Sequence, residues 1–324
     1  MIVIFNLIAL LIVLAALAAI TAGANRLVER AHPPKGRFVD VDGVRLHVDE
    51  FGSRPGDETA IVLVHGASGN MEDMRVALGD ALAAHRRVIL IDRPGRGWRG
   101  RGTASDASSP QRQADLLAGA LARIGVRHAI LVGHSWGGAL VTAFAIRHPA
   151  MTAGLVLLSP TSHPWKGGVS WYYTLATVPI VGPIFVHTML APLGALLAEG
   201  AAAAVFQPQT PPAHYVKRSA SWLVLRPRAF IANARDVSDL RNNLESLVPL
   251  YPKIAAPTVI LTGDRDLTVS NDIHSASLAQ IIPDARLEVL AGVGHMPHHA
   301  RPDRVVAAID EVARKAGLNA KAAD

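Results

Sequence analysis

The chain has 324 residues, of which half are hydrophobic and 18% are charged, and its mean hydropathy is +0.26. This composition supplies apolar material for a sizeable core and slightly more than a purely soluble protein needs. The formal net charge is +6, yet most arginines are scattered and no nucleic-acid motif occurs, so we expect no nucleic-acid partner. The absence of cysteine excludes disulfide bonds, thiolate metal sites and cysteine nucleophiles.

A long apolar segment opens the chain. Residues 2–24 carry no charge, and Asn6 and Thr21 are their only polar side chains. A helix needs about 20 such residues to cross the hydrocarbon core of a bilayer, so residues 1–25 are predicted to form a transmembrane anchor. A cleaved signal peptide is the alternative, because Ala22-Gly23-Ala24 offers small residues for cleavage, although no lysine or arginine precedes the segment.

Basic residues follow the apolar segment, in a predicted linker at residues 26–36 and just beyond it. They are Arg26, Arg30, Lys35 and Arg37. Cationic residues concentrate on the cytoplasmic side of membrane helices, so we expect a single-pass, membrane-anchored protein whose main domain lies in the cytoplasm. If a signal peptide is cleaved instead, the protein is secreted or periplasmic.

Apolar runs of strand length alternate with helical patterns along the rest of the chain. A hairpin is predicted first, because two alternating stretches flank Asp42-Gly43. Continuous apolar strands separated by helices are typical of a mostly parallel sheet covered on both faces, so the expected fold class is α/β with an eight-stranded sheet flanked by helices. The predicted strands are Phe38 to Asp42, Val44 to Asp49, Ala60 to Val64, Val88 to Ile91, Ala129 to Val132, Leu155 to Leu158, Pro257 to Leu261 and Leu287 to Leu290.

This alternation stops at residues 159–251, a stretch rich in proline, tryptophan, tyrosine and alanine–leucine runs. We interpret it as a helical cap inserted over the carboxyl ends of the strands. The core then has two parts, residues 37–158 and 252–317, of which the second ends in an amphipathic helix. Residues 318–324 are the predicted tail.

A glycine-rich turn carries the strongest chemical signal. Gly133-His134-Ser135-Trp136-Gly137 has the pattern G-x-S-x-G and lies between a predicted strand and a predicted helix, Ala139 to Arg147. In that context the pattern indicates a nucleophile elbow, a tight turn that exposes the Ser135 hydroxyl and leaves the Trp136 N–H facing the same space. The alternative is a strand-to-helix turn with no reactivity.

With this turn, two further loops resemble those of the α/β-hydrolase family. His65-Gly66-Ala67-Ser68-Gly69 follows the third predicted strand, and Asp92-Arg93-Pro94-Gly95-Arg96-Gly97 follows the next. The resemblance extends from Gly36 to Leu318. It implies that the N–H groups of Ala67 and Trp136 form an oxyanion hole, which stabilises developing negative charge.

In this family an acid and then a base follow the nucleophile along the chain. Asp266, three positions after Gly263, matches the acid, and Asp264 is its nearest rival. His295, in a Gly-x-Gly-His segment, matches the base. Because a serine hydroxyl needs a base and the base needs an orienting carboxylate, Ser135, His295 and Asp266 are the predicted catalytic residues.

Four more residues are candidates for contact with a substrate, namely His65, Gly66, His134 and Trp165. The alternative for the two histidines is structural, since one lies within its loop and the other within the elbow. No metal-binding spacing such as H-E-x-x-H occurs, and we expect neither a metal nor an organic cofactor.

The resemblance implies hydrolysis of a small-molecule ester through an acyl-enzyme. A carbon–carbon bond hydrolase and a non-catalytic binding protein are the open alternatives, because a fold alone does not establish activity. Aromatic residues of the predicted cap either line an apolar pocket, which favours a lipid-like ester, or only hold the cap on the core. They are Trp165, Trp171, Tyr172, Tyr173 and Trp222.

A second group of basic residues departs from the family, whose members often carry apolar or small residues there. It consists of Arg93, Arg96, Arg99 and Arg101. Such a run is expected to be a solvated face, and contact with phospholipid headgroups or an anionic substrate is the alternative.

Overall fold

The computed structural model describes residues 1–52, 59–84, 87–96, 98 and 106–318. Within these ranges the strands are β1 (Arg37–Val41), β2 (Val44–Phe51), β3 (Thr59–Val64), β4 (Val88–Ile91), β5 (His128–His134), β6 (Thr152–Leu158), β7 (Thr258–Gly263) and β8 (Arg286–Leu290). They form one sheet in the order β1-β2-β4-β3-β5-β6-β7-β8. The pairs β1–β2 and β2–β4 are antiparallel, and all the others are parallel. The expected fold class is confirmed.

The helices that accompany these strands lie on both faces of the sheet and in an insertion between β6 and β7. The α-helices are α1 (Ile2–Ala31), α2 (Met71–Leu82), α3 (Pro110–Arg123), α4 (Trp136–Arg147), α5 (Trp171–Thr177), α6 (Val181–Thr188), α7 (Leu190–Phe206), α8 (Tyr215–Arg218), α9 (Pro227–Leu247), α10 (Ser277–Ile281), α11 (Pro297–Ala300) and α12 (Pro302–Lys315). Short 3-10 helices occupy Pro149–Met151, Ser221–Leu225 and Val248–Lys253, and a π-helical turn occupies Asp272–Ala276.

The central strands are apolar because helices cover the sheet on both sides. Side chains of α3 and α4 pack on one face of the sheet, and those of α2 and α12 pack on the other. Strands β3 to β7 are therefore buried almost throughout. Burial of so much apolar surface is the main driving force for this layered arrangement.

Helix α1 is longer than the sequence pattern indicated. It continues through residues 26–31, so the predicted boundary at residue 25 and the predicted linker at 26–36 are wrong in that part. The helix ends just before Pro33-Pro34, because proline disfavours a helical conformation in the residue before it. Its length and apolar character are sufficient to cross a membrane.

The insertion between β6 and β7 runs from α5 to α9, and α1 packs against it. The Thr21 hydroxyl donates to the Thr188 carbonyl of α6 at 3.4 Å, and Arg226 lies 3.4 Å from Glu29 of α1. Helices α6 and α7 are bent by 67° relative to each other. Of the predicted tail, residues 319–324 lie outside the described residues.

Candidate active site

Ser135 sits on a strained turn between β5 and α4. Its backbone has φ 51 and ψ −116, a conformation that costs about 1–3 kcal/mol in a non-glycine residue. The turn is held because the Ser135 N–H donates to the Leu158 carbonyl and the Gly138 N–H donates to the Ser135 carbonyl, both at 2.9 Å. A Cβ atom on Gly137 would lie 2.5 Å from the Val64 carbonyl oxygen, so close packing requires glycine there.

His295 and Asp266 form a hydrogen-bonded pair beside this turn. The His295 Nδ1 atom lies 2.7 Å from Asp266 Oδ2, and Asp266 Oδ1 accepts from the N–H groups of Thr268 and Val269, each at 2.8 Å. Burial would raise the pKa of the Asp266 carboxyl, but these bonds, led by that of His295, outweigh it and lower the pKa. The rival Asp264 is exposed and accepts from the Gly292 N–H at 2.6 Å. Of the two aspartates, Asp266 is therefore the one bonded to His295, and the catalytic roles of Ser135, His295 and Asp266 stay predictions.

Contacts through His134 and Gly66 bring the elbow, the base and the loop after β3 together. The His134 ring nitrogen Nε2 lies 2.9 Å from the His295 carbonyl oxygen, and the two imidazole centroids are 4.9 Å apart. A Cβ atom on Gly66 would lie 3.1 Å from Ser135 Cβ. Ala67 follows Gly66 in this loop, and its role as an oxyanion donor with Trp136 stays a prediction.

The two histidines predicted to contact substrate are instead bonded within the protein. His65 is fully buried, with Nδ1 2.8 Å from the Gly66 carbonyl and Nε2 accepting from the Arg93 N–H at 3.1 Å. Burial and the nearby Arg93 charge lower the pKa of His65 to about 3. Burial, assisted by the neighbouring histidines, lowers the pKa of His134 well below its ordinary value. This geometry favours the structural alternative for both.

The expectation that the arginine group is a solvated face is wrong for Arg93 and Arg96. Arg93 and Arg96 are 1% and 2% exposed, and both contact Asp236 of α9, at 2.9 Å and 3.4 Å. The Arg93 guanidinium also lies 3.9 Å from the centre of the Trp136 ring. A buried carboxylate from the cap thus compensates two buried cations beside the elbow. Arg99 and Arg101 lie outside the described residues.

The cap also holds the loop after β3. The Ser68 N–H donates to Asn233 Oδ1 of α9 at 2.9 Å, and Asn233 Nδ2 donates to Ser68 Oγ at 2.9 Å. The Tyr173 hydroxyl lies 2.8 Å from the same Ser68 oxygen, and burial raises the pKa of Tyr173 to about 12. The Arg93 guanidinium donates to the Gly66 carbonyl at 3.3 Å. Sequence reasoning missed Asn233 and Asp236, because no motif marks them, and it gave no role to Ser68 in the loop after β3.

Trp165, the fourth candidate for substrate contact, lies half-buried on the segment that leads from β6 into the cap. Its ring meets the edge of His274, with centroids 6.1 Å apart. His274 Nδ1 accepts from the N–H groups of Ser162 and His163, at 3.1 and 3.2 Å, and burial lowers the pKa of His274 to about 4. His274 therefore holds the entry to the cap in place, and no sequence motif indicated this role.

One cluster could hold a metal ion among the described residues. Asp73, His298 and His299 place ligand atoms within 4.8 Å of one another. Asp73 already accepts from the Tyr215 hydroxyl and pairs with His299, both at 2.8 Å, and with His298 at 3.3 Å. Burial would raise the pKa of Asp73, but the two imidazoles lower it well below its usual range. Hydrogen bonds therefore satisfy this carboxylate without an ion.

Comparison with known proteins agrees with this fold. The sequence profile of the alpha/beta hydrolase family matches residues 61–308, and the chain belongs to that family. A 2-hydroxymuconate semialdehyde hydrolase from Pseudomonas putida is 28% identical over 270 residues, which are 81% of this chain and 88% of that protein. A pimeloyl-[acyl-carrier protein] methyl ester esterase from Nitrosospira multiformis is 26% identical over 286 residues, 84% and 99% of the two chains.

Among solved structures, a membrane phospholipase A described as a novel bacterial virulence factor superposes with a TM-score of 0.62 at 23% identity. The match covers 98% of this chain and 99% of that one, so it includes the region of α1. At this identity the likeness shows the fold alone. The curated relatives named above are hydrolases, which supports hydrolase chemistry for this chain.

Proposed function

We propose that this protein is a membrane-anchored serine hydrolase that cleaves an apolar carboxylic ester through an acyl-enzyme. The observation that carries the proposal is the 2.7 Å pair of His295 and Asp266 beside a serine on a strained elbow. A base that is oriented by a buried carboxylate, next to a raised hydroxyl, is the arrangement that nucleophilic catalysis by serine requires.

The reaction follows from these positions. His295 accepts the Ser135 proton while the serine oxygen attacks the ester carbonyl, and the N–H groups of Ala67 and Trp136 stabilise the oxyanion. Collapse of the tetrahedral intermediate breaks the bond to the leaving alcohol, which takes its proton from His295. Water, deprotonated by the same imidazole, then attacks the acyl-enzyme and releases the acid, and Ser135 regains its proton. Asp266 stabilises the imidazolium and fixes its orientation throughout.

The cap supports an apolar substrate. Tyr172, Tyr173 and Phe230 pack together above the loop after β3, and Tyr173 reaches Ser68 within that loop. An apolar acyl group would meet aromatic surface there. The esterase relative favours an ester, and the structural likeness to a membrane phospholipase A guides the choice of phospholipids as test substrates.

Helix α1 supports an uncleaved anchor. It runs unbroken through the candidate cleavage residues 22–24 and packs on the cap through Thr21 and Glu29. Cleavage after Ala24 would remove the first of these contacts. The basic residues that follow the apolar segment favour a cytoplasmic hydrolase domain. Protease protection in intact cells tests this orientation, and digestion of the domain from outside would contradict it.

Labelling by a fluorophosphonate probe tests the nucleophile. We expect wild-type protein to be labelled and Ser135→Ala not to be. Ser277→Ala, which removes an exposed hydroxyl bonded to the Asp272 carbonyl, is the matched control and should label like wild type. Absence of labelling in a folded wild type would favour the non-catalytic binding alternative.

A chain-length series of p-nitrophenyl esters, followed by phospholipids in vesicles, tests the substrate class. We expect kcat/KM to rise with acyl length and to fall to background in Ser135→Ala. Activity confined to short acyl chains would contradict the apolar pocket.

A second candidate, carbon–carbon bond hydrolysis, is favoured by the relative named 2-hydroxymuconate semialdehyde hydrolase. The same Ser135, His295 and Asp266 would serve both reactions. Turnover of 2-hydroxymuconate semialdehyde, followed by its absorbance, separates them: turnover of this compound without ester hydrolysis would replace the first proposal.

A further inference from the structure

The cap carries an exposed apolar surface, here called the cap face. Eight large hydrophobic side chains of the cap are exposed and form this face. Among the described residues outside the cap and the N-terminal helix, the only other exposed ones are Leu267, Ile273 and Val289. No Asp, Glu, Lys or Arg occurs in residues 167–198, which form this surface. A contiguous apolar patch on a folded protein marks contact with another molecule or a membrane. The cap face consists of Trp171, Val178, Ile180, Val181, Ile184, Met189, Leu196 and Leu197.

The length of the free part of α1 indicates what covers this face. Residues 1–13 are exposed on all sides, whereas α1 contacts α6 and α7 farther along, where Leu14 is half-buried and Thr21 fully buried. Twelve of these residues are helical and span about 18 Å. The hydrocarbon core is about 30 Å thick, so α1 needs roughly eight further residues to cross it. Those residues are the ones packed against the cap, which places α6 and α7 at the depth of the bilayer.

The turn between α5 and α6 exposes an apolar side chain and has a strained backbone. Ile180 is 77% exposed, and its φ of 66 is strained for a β-branched residue. Gly182 makes the turn possible, because a Cβ atom there would collide with the Ala176 carbonyl oxygen. An apolar side chain held outward on a strained turn is suited to insertion between lipid chains.

Cationic side chains lie where α1 would leave the bilayer. Arg26 and Arg30 follow Thr21 on α1, and Lys217 and Arg218 lie on α8, all of them exposed. Lys217 also lines a cavity of about 380 Å³ between the last turns of α1 and the cap, whose walls are otherwise mostly apolar. Basic residues next to an apolar face match the anionic headgroups that border the hydrocarbon.

We propose that the cap face is a second membrane contact. In this contact α6, α7 and the turn at Ile180 lie within the leaflet nearer the hydrolase domain. The proposal rests on the membrane anchor proposed above. The second contact adds to the anchor because it fixes the cap at the bilayer. A lipid-like ester then reaches the site beneath the cap directly from the leaflet.

Single labels test the depth of the cap face, and the natural absence of cysteine makes them specific. Full-length protein is reconstituted in phosphatidylcholine–phosphatidylglycerol vesicles with an environment-sensitive fluorophore at Ile180→Cys or Leu197→Cys. Ile8→Cys in α1 is the positive control, and Val289→Cys, an exposed apolar position outside the cap face, is the matched negative control. Quenching by nitroxide lipids is measured for each label, and thermal unfolding verifies that each variant is folded.

We expect the labels at Ile180 and Leu197 to shift to the blue and to be quenched by nitroxides near the headgroup, and the label at Ile8 to be quenched by nitroxides deep in the acyl chains. The label at Val289 should not be quenched. Quenching at Ile8 without quenching at Ile180 and Leu197 overturns the second contact and leaves the anchor. Absence of quenching at Ile8 overturns the anchor itself. Equal quenching at Val289 and Ile180 also overturns the proposal, because contact would then not be confined to the cap face.

Discussion

The loops of the candidate active site bury charged residues, whereas the cap face exposes apolar ones. Beneath the cap, charged groups that belong in water are buried, and Asp236 compensates Arg93 and Arg96 there. On the cap face, apolar groups that belong in a core are exposed, as Ile180 and Leu196 show. The first region satisfies its charges with protein partners. The second has no such partner among the described residues, and the membrane is the partner proposed for it.

Backbone strain shows the same contrast. Ser135 and Ile180 both have positive φ, at 51 and 66. At Ser135 the strained turn lies next to His134, whose ring nitrogen contacts the His295 carbonyl, and the proposed mechanism uses the hydroxyl on this turn. At Ile180 the strained turn holds an apolar side chain outward, and 77% of that residue is exposed. The proposals above give each strained position a use: attack on a substrate at Ser135 and contact with lipid at Ile180.

The largest effect is expected from the oriented base. Asp266→Asn keeps the size of the side chain but favours the wrong tautomer of His295, so kcat should fall by about 10⁴-fold. Ester hydrolysis by purified protein measures it. Asp264→Asn, whose partner is a loop N–H, should change kcat little. Equal losses in the two variants would contradict the assignment of Asp266.

The next effect concerns the buried charges. Asp236→Ala removes the carboxylate that compensates Arg93 and Arg96, and breaking a buried ion pair costs about 3–5 kcal/mol of unfolding free energy. Urea unfolding followed by tryptophan fluorescence measures it. Asp239→Ala, an exposed carboxylate on the same helix bonded to Ser108, is the control and should cost under about 1 kcal/mol. Similar losses of unfolding free energy in the two variants would contradict a large contribution from the buried ion pairs.

Stability should fall on acidification because of the buried imidazoles. The pKa values of His65, His134 and His274 are lowered by burial, so these side chains stay neutral in the folded chain when the unfolded chain begins to bind protons near pH 6.5. Below that pH the unfolded state binds more protons and is favoured. We expect each of these histidines to lower the free energy of unfolding by on the order of 2 kcal/mol between pH 7.5 and 5.

Thermal and urea midpoints measured across this range test the pH dependence. The lowered pKa of Asp266 acts only at lower pH, because its contribution is lost as pH falls below about 3.8. A flat profile between pH 7.5 and 5 would contradict the neutral state of the buried histidines.

The smallest effect is expected at the cap face. Ile180→Glu combined with Leu197→Glu places two carboxylates where lipid is proposed, and charged side chains resist transfer from water into a bilayer. The rate on an ester presented in vesicles, divided by the rate on a soluble short-chain ester, should fall by about tenfold. Val289→Glu is the matched control. An unchanged ratio in the double variant would argue against a functional role of the membrane contact.

The sequence by itself determined the features that depend on neighbouring residues. The period of apolar residues indicated the strands, because each central strand is buried on both faces. The elbow could also be predicted from the sequence, because Gly133, Ser135 and Gly137 are set by a local turn and by backbone packing at its base. The place of α12 followed from its amphipathic pattern. The fold class and the family resemblance rested on these signals, and both are confirmed.

Only the tertiary structure decided which charges are buried and which apolar groups are exposed. Arg93 looked like part of a solvated run, but its partner Asp236 is 143 positions away on the cap. The structural role of His65 follows from its contact with Arg93, which only the tertiary structure shows. The packing of α1 against the cap is likewise visible only there. The physical reason is that the free energy of a charge or an apolar side chain depends on what surrounds it in space. Those surroundings come from distant segments that no local pattern records.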